Sequence, residues 1–311
     1  MRVVATMAEA RAQACGVVGL VPTMGFLHEG HLSLMERSVA ECDQTMATLY
    51  VNPLQFENPA DLARYPADPD RDLALAEACG VDLMVVPGPE EMFPSRPLTG
   101  VTVAGIGERL EGEFRPGHMA GVATVVTKLL AGLQPQRAYF GRKDAQQLAL
   151  ITRLVRDLGF PVEVVGCPLV REVDGLALSS RNVLLGARRA EALTLSRGLM
   201  LAADRFDRGE RRSTVLEAAV RSAVTEDALE YARLCEAATM TPVTTAEGET
   251  VLVAAARFGP VRIIDNVYLV ADRRGAPADR GVRLGHPSLL YGSEGTMTAG
   301  ERAMESPGGA A

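Results

Sequence analysis

Along the first 170 residues, hydrophobic and polar positions follow two alternating rhythms. Short apolar, β-branched runs at 17–21, 45–51, 82–86, 137–140 and 162–166 read as strands. Between them, stretches at 31–41, 69–79, 121–133 and 143–158 repeat their apolar residues at helical spacing. Strands and helices in alternation predict right-handed crossovers and a parallel sheet, with ligands at the carboxyl ends of the strands. After Asn182 the rhythm changes. Two long helical stretches at 188–208 and 212–225 precede strand-like runs at 229–236, 250–256 and 261–270, which predicts a smaller α+β unit packed on the first. The expected architecture is therefore α/β: a Rossmann-like parallel-sheet domain over 1–169, a smaller C-terminal α+β lid domain over 170–271, and a disordered tail over 272–311, where Gly, Ala, Ser, Pro and charge dominate.

Composition narrows the function classes. A hydrophobic share of 47% with 23% charged residues fits a globular enzyme with a substantial core. The net charge of −7 argues against nucleic acid as a partner, although a local basic cluster could still hold one nucleotide. Five scattered cysteines without a C-x-x-C pair suit a reducing compartment, and no apolar stretch is long enough for a signal core or a membrane span. The expectation is a cytoplasmic protein with no membrane association.

Candidate chemistry concentrates where strands end. Pro22-Thr23-Met24-Gly25-Phe26-Leu27-His28-Glu29-Gly30-His31 lies on a strand-to-helix turn, where exposed backbone N–H groups and a positive dipole end suit phosphate oxygens. A zinc site would need a third protein ligand, and the remaining histidines are only His118 and His286. A surface pair is the plain alternative. Tyr50-Val51-Asn52-Pro53-Leu54-Gln55-Phe56 closes the second strand and offers neutral amides beside apolar walls, or else is a simple strand terminus. Arg115-Pro116-Gly117-His118 leads a cationic loop into an apolar helix. Phe140-Gly141-Arg142-Lys143-Asp144-Ala145-Gln146-Gln147 could read phosphate and ribose, or supply ordinary charges at a helix start. Asp174-Gly175-Leu176-Ala177-Leu178-Ser179-Ser180-Arg181-Asn182 gathers two hydroxyls and a guanidinium suited to a triphosphate, against a plain hairpin and N-cap reading.

Taken in order, these five clusters resemble the pantothenate synthetase (pantoate–β-alanine ligase) family, within the HxGH nucleotidyltransferase group. The match runs from about 21 to 185, with a weaker continuation at Arg262-Ile263-Ile264-Asp265-Asn266. The resemblance implies ATP-dependent condensation of (R)-pantoate with β-alanine through pantoyl adenylate, releasing AMP and diphosphate. It implies His31, His28, Lys143 and Arg181 as catalytic residues. ATP would be bound by Met24, Gly25, His28, Gly30, His31, Gly141, Arg142, Lys143, Asp144, Val170, Leu178, Ser179, Ser180 and Arg181. Gln55 and Gln147 would hold pantoate, and Mg²⁺ would arrive with ATP, with Asp72 assisting. A homodimer is implied as well. Arg142, Ala145, Met119 and Leu178 stand where the family usually carries glutamate, an aromatic residue, phenylalanine and methionine, but none of these departures removes a reacting group. The alternative is another HxGH-type nucleotidyltransferase with a different acceptor, which would not require Gln55 and Gln147.

Overall fold

The computed structural model describes residues 1–56, 59–271 and 275–291. The first part is built in the order β1 (Arg2–Val4), α1 (Met7–Ala12), β2 (Val18–Thr23), α2 (Glu29–Glu41), β3 (Gln44–Leu49), α3 (Pro59–Ala63), α4 (Pro69–Ala78), β4 (Leu83–Val85), α5 (Pro89–Met92), α6 (Glu111–Phe114), α7 (His118–Leu133), β5 (Arg137–Gly141), α8 (Ala145–Leu158) and β6 (Glu163–Cys167). Its six strands form a parallel sheet ordered β1-β4-β3-β2-β5-β6. The chain builds outward from β2 through β3 to β4, then returns to lay β5 on the other side of β2. That reversal creates a crevice at the carboxyl ends of β2 and β5, the place where such sheets bind ligands. β2 lies in the middle with helices over both faces, so Val18, Leu20 and Val21 are all buried and its sequence reads as an unbroken apolar run.

The second part continues with β7 (Val170–Arg171), α9 (Arg189–Asp207), α10 (Ser213–Arg221), β8 (Leu229–Glu236), β9 (Gly248–Phe258), β10 (Val261–Ala271) and β11 (Val282–Arg283). β10-β9-β8 form an antiparallel sheet. Side chains alternate across a strand, and β9 uses both faces. Leu252, Ala254 and Ala256 pack with Leu195, Leu199 and Phe206 of α9, while Val251, Val253 and Ala255 join the core that contains Val122 and Val126 of α7. The fold class expected from the sequence holds: a Rossmann-like sheet carrying a smaller α+β unit. Buried ion pairs reinforce the contact. Arg262 of β10 donates to both oxygens of Glu111 in α6 at 2.6 Å each, and Tyr231 Oη donates to Glu111 Oε1 at 2.6 Å.

The expectation of a disordered tail from residue 272 needs correction over 275–291. β11 pairs in parallel with β7, and Asp279 and Tyr268 exchange backbone hydrogen bonds of 2.8 and 3.1 Å. Arg280 donates to Asp204 and Asp207 at 2.7 Å each, and Ser288 is 4% exposed. Polar composition suggested solvation, but each of these groups finds a partner distant in sequence, which composition cannot register. Residues 292–311 of that expected tail lie outside the described residues.

Candidate active site

The turn between β2 and α2 is held from below. Gly25 has φ +87°, and a Cβ there would lie 2.6 Å from Leu49 Cδ1 and 2.8 Å from Asp72 Oδ2, so the position requires glycine. Phe26 follows at φ 50°, a left-handed conformation that a bulky residue keeps only when its surroundings hold it there. Asp72 of α4 does so: its two carboxylate oxygens accept from the Phe26 and Leu27 amides at 2.7 Å each. The sequence reading of Asp72 as a magnesium ligand is therefore corrected. Its carboxylate is buried beneath the turn and is not part of the cleft lining.

His28 is the N-cap of α2, and its carbonyl accepts from the amides of His31 at 2.7 Å and Leu32 at 3.0 Å. The imidazoles of His28 and His31 lie 4.0 Å apart between ring centroids, tilted by 32°. Both Nδ1 atoms are buried without a hydrogen-bond partner. Burial lowers the His31 pKa to about 4, a drop that Lys143 reinforces and Asp144 opposes. Burial also pushes His28 well below the usual histidine range, followed by the charges of His31, Lys143 and Arg71. At neutral pH the pair consists of two neutral imidazoles beside the N-terminus of α2, each with one N–H to give.

The carboxyl end of β5 supplies the opposite wall. Asn266 Nδ2 donates to the carbonyls of Arg142 and Lys143 at 2.9 and 2.8 Å, fixing the short 3₁₀ turn Arg142–Asp144. Lys143 Nζ lies 3.8 Å from Asp144 Oδ1, and both residues line the cleft. Arg142 does not. Its guanidinium donates to Asp279 at 3.1 Å and stacks over the Tyr268 ring at 4.9 Å, so the side chain that the resemblance placed among the ATP contacts faces the second unit instead. Consecutive residues on a tight turn point in different directions, and sequence adjacency cannot say which one faces the ligand.

Gln55 ends a 3₁₀ turn, Pro53–Gln55, that sits against α7. Asn52 orders this turn, with Oδ1 accepting from the Leu54 amide at 3.2 Å and Nδ2 donating to Gln55 Oε1 and Gly121 O at 3.1 Å each. His118 Nδ1 meets the Gln55 carbonyl at 2.8 Å, and Arg115 donates to the same oxygen at 3.3 Å. Burial, followed by the Arg115 charge, lowers the His118 pKa to about 4. On the third side, Ser180 Oγ donates to the Phe26 carbonyl at 3.1 Å, tying the 179–181 loop to the histidine turn.

These elements enclose a cleft of about 300 Å³. Of the residues singled out from the sequence, Met24, His28, Gly30, His31, Gln55, Gly141, Lys143, Asp144, Gln147, Val170, Leu178, Ser179, Ser180 and Arg181 line it, whereas Gly25, Arg142 and Asp72 do not. The cleft also includes residues that were not among the expected catalytic, ATP or pantoate contacts: Tyr65, Arg115, His118 and Gln146. Arg115 and His118 stood inside a sequence motif and could have been found there. Tyr65 carries no pattern that marks it. Gln146 is buried and donates to the carbonyls of Ile106 and Arg109 at 2.7 Å each, so it supports the wall. Among the described residues, no three His, Cys, Asp or Glu side chains gather as a metal site.

The family model for pantoate-beta-alanine ligase matches residues 1–268. A pantothenate synthetase of Roseiflexus sp. (strain RS-1) is 48% identical over 278 residues, covering 87% of this chain and 100% of that protein. The crystal structure of pantothenate synthetase from Thermus thermophilus superposes with a TM-score of 0.82 at 47% identity, over 86% of this chain and 98% of the other. That of a pantoate-beta-alanine ligase from Francisella tularensis, complexed with beta-gamma ATP and beta-alanine, has a TM-score of 0.68 at 30% identity, covering 86% and 97% of the two chains.

Proposed function

The chain belongs to the pantoate–β-alanine ligase family, and we propose that its cleft joins (R)-pantoate to β-alanine with conversion of ATP to AMP and diphosphate. In the first step a pantoate carboxylate oxygen forms a bond to the α-phosphorus while the bond to the β-phosphate oxygen breaks, giving pantoyl adenylate and diphosphate. In the second, the β-alanine amine attacks the acyl carbon, loses a proton and expels AMP. The observation that carries this reading is the single cleft shared by His28, His31, Lys143 and Arg181 with the neutral amides Gln55 and Gln147.

Each group has a part that its chemistry permits. Charge builds on phosphate oxygens during adenylation, and Lys143, Arg181, the neutral imidazole N–H groups and the first amides of α2 are donors for it. The Ser179 and Ser180 loop would close over the phosphates, Asp144 would accept from ribose hydroxyls, and adenine would meet the Val170 backbone. Gln55 and Gln147 hydrogen-bond pantoate without a tight ion pair, so its carboxylate stays nucleophilic. Magnesium would arrive with ATP and be held mainly by its phosphate oxygens; among the described residues no three His, Cys, Asp or Glu side chains gather to hold it. It would neutralise phosphate charge. Residues 1–169 would bind ATP and pantoate, with 170–271 as the covering unit. A homodimer in the cytoplasm completes the proposal; no helix among the described residues is long and apolar enough to cross a membrane.

Purified protein is expected to exchange labelled diphosphate into ATP only when pantoate is present, and to release AMP when β-alanine is added. Exchange with another carboxylic acid but not with pantoate would instead favour a nucleotidyltransferase with a different acceptor. His31→Ala is expected to lower turnover strongly in a folded protein, and light scattering reads the dimer.

A further inference from the structure

Residues 275–291 follow the stretch matched by the family, which ends at 268, and they run beneath the walls of the cleft. Three contacts define their path. Asp279 takes the Arg142 guanidinium and β11 pairs with β7, next to Val170. The chain then reaches the histidine turn. Ser288 Oγ donates to Glu29 Oε2 at 2.7 Å, and the Leu289 amide donates to Glu29 Oε1 at 2.8 Å. Glu29 stands between the two histidines as the first residue of α2. Arg71 closes the arrangement by donating to the carbonyls of Leu27 and Leu289 at 2.9 Å each. Beneath this polar clasp, Leu290 packs in one apolar cluster with Val170 and Leu178, against which Phe26 also rests.

Glu29 is buried, at 9% exposure, and both its oxygens are taken by the segment that follows the matched region. A buried carboxylate whose donors are removed suffers a large desolvation penalty or moves toward water. Here moving means rotating the start of α2, which carries both His28 and His31. We propose that Ser288 and Leu289 form a strap that positions the His28–His31 turn for ATP through Glu29 and Arg71. These are positioning residues, and the inference rests on the reading of this turn as the ATP-phosphate site. The strap reaches the turn and the Val170 strand together, so it sets the spacing between phosphate and adenine contacts and leaves the Gln55 side alone.

The test measures ATP binding by calorimetry in the full-length chain, independent of turnover, together with KM for each substrate. Ser288→Ala is expected to weaken ATP binding about tenfold, the equivalent of one hydrogen bond to a charged acceptor carried through to the turn. Ser288→Thr restores it, and the KM values for pantoate and β-alanine stay near wild type. Combining Ser288→Ala with Glu29→Gln adds little to Glu29→Gln alone, because both break one contact. Equal loss for all three substrates, or unchanged ATP affinity in folded Ser288→Ala, overturns the proposal. Should the variants fail to fold, amide exchange on the wild-type protein decides: ATP slows Leu289 together with residues 27–32, and a strap whose exchange ignores ATP refutes it. A wild-type chain that binds ATP but does not use pantoate would count against the ligase reading and leave the strap result standing.

Discussion

Gly121→Ala separates the stability of this protein from the geometry of its acceptor site. In α7, a Cβ at position 121 would lie 2.2 Å from the Leu54 carbonyl oxygen, 2.5 Å from its carbon and 2.8 Å from the Gln55 nitrogen. All three are backbone atoms, so no side chain can swing aside. Ordinary contact returns only when helix and turn part by about 1 Å or more. The turn cannot simply drift, because His118 and Asn52 tether it to the same helix at 2.8 and 3.1 Å. Overpacking costs about 1–3 kcal/mol, while alanine gains about 1 kcal/mol over glycine in a helix, so net destabilisation is about 0–2 kcal/mol and the melting temperature moves little. Displacement of Gln55 is not offset by propensity. A misplacement of about 1 Å at a positioning group lowers kcat/KM by up to about 100-fold, and the loss is expected in pantoate, with ATP affinity near wild type. Diphosphate exchange at varied pantoate, beside a calorimetric ATP titration, measures both. An unchanged pantoate dependence in a folded variant would refute the assignment of Gln55 and the rigidity argued for its turn.

Other perturbations test the remaining walls. Burial lowers the His31 pKa from 6.5 to about 4, so between these values the unfolded chain binds more protons there; the contribution of His31 to stability is flat above pH 6.5 and falls as pH drops toward 4. His31→Gln is expected to flatten part of that slope in thermal melts, with His28 and His118, both also lowered by burial, contributing to the remainder. Asp72→Asn turns an NH₂ toward one of two backbone donors and is expected to cost about 1.5–3 kcal/mol in urea unfolding and to weaken ATP binding. The magnesium concentration for half-maximal activity should not move, whereas a shift would return Asp72 to the metal. Glu111→Gln removes one of the two carboxylates on the buried Arg262 guanidinium, whose Nε keeps its 2.6 Å bond to Glu230, and a loss of about 1.5–3 kcal/mol is expected in denaturant titration. A loss below about 1 kcal/mol would mean that water reaches the pair.

The sequence by itself determined the elements that local rules govern and the chemistry that fixed spacing encodes. Apolar runs at 17–21 and 137–140 became β2 and β5, and the motifs at 22–31, 50–56 and 140–147 follow β2, β3 and β5, whose ends the parallel sheet brings to one edge, while residues from the 115–118 and 174–182 loops line the same cleft, so His28, His31, Lys143, Gln55 and Arg181 share it. Helix starts were less legible. α7 begins at His118 rather than 121, because Gly117 adopts φ +86° and lets the helix start directly after it. Direction and partnership were decided only in the tertiary structure. Arg142 and Lys143 are neighbours in sequence, yet one faces Asp279 and the other the cleft. Asp72 looked like a metal ligand and is the floor of the histidine turn. The tail looked solvated, yet Ser288 meets a glutamate 259 positions away. Composition and periodicity report what a residue prefers on its own, whereas burial and hydrogen bonding depend on what long-range packing places beside it.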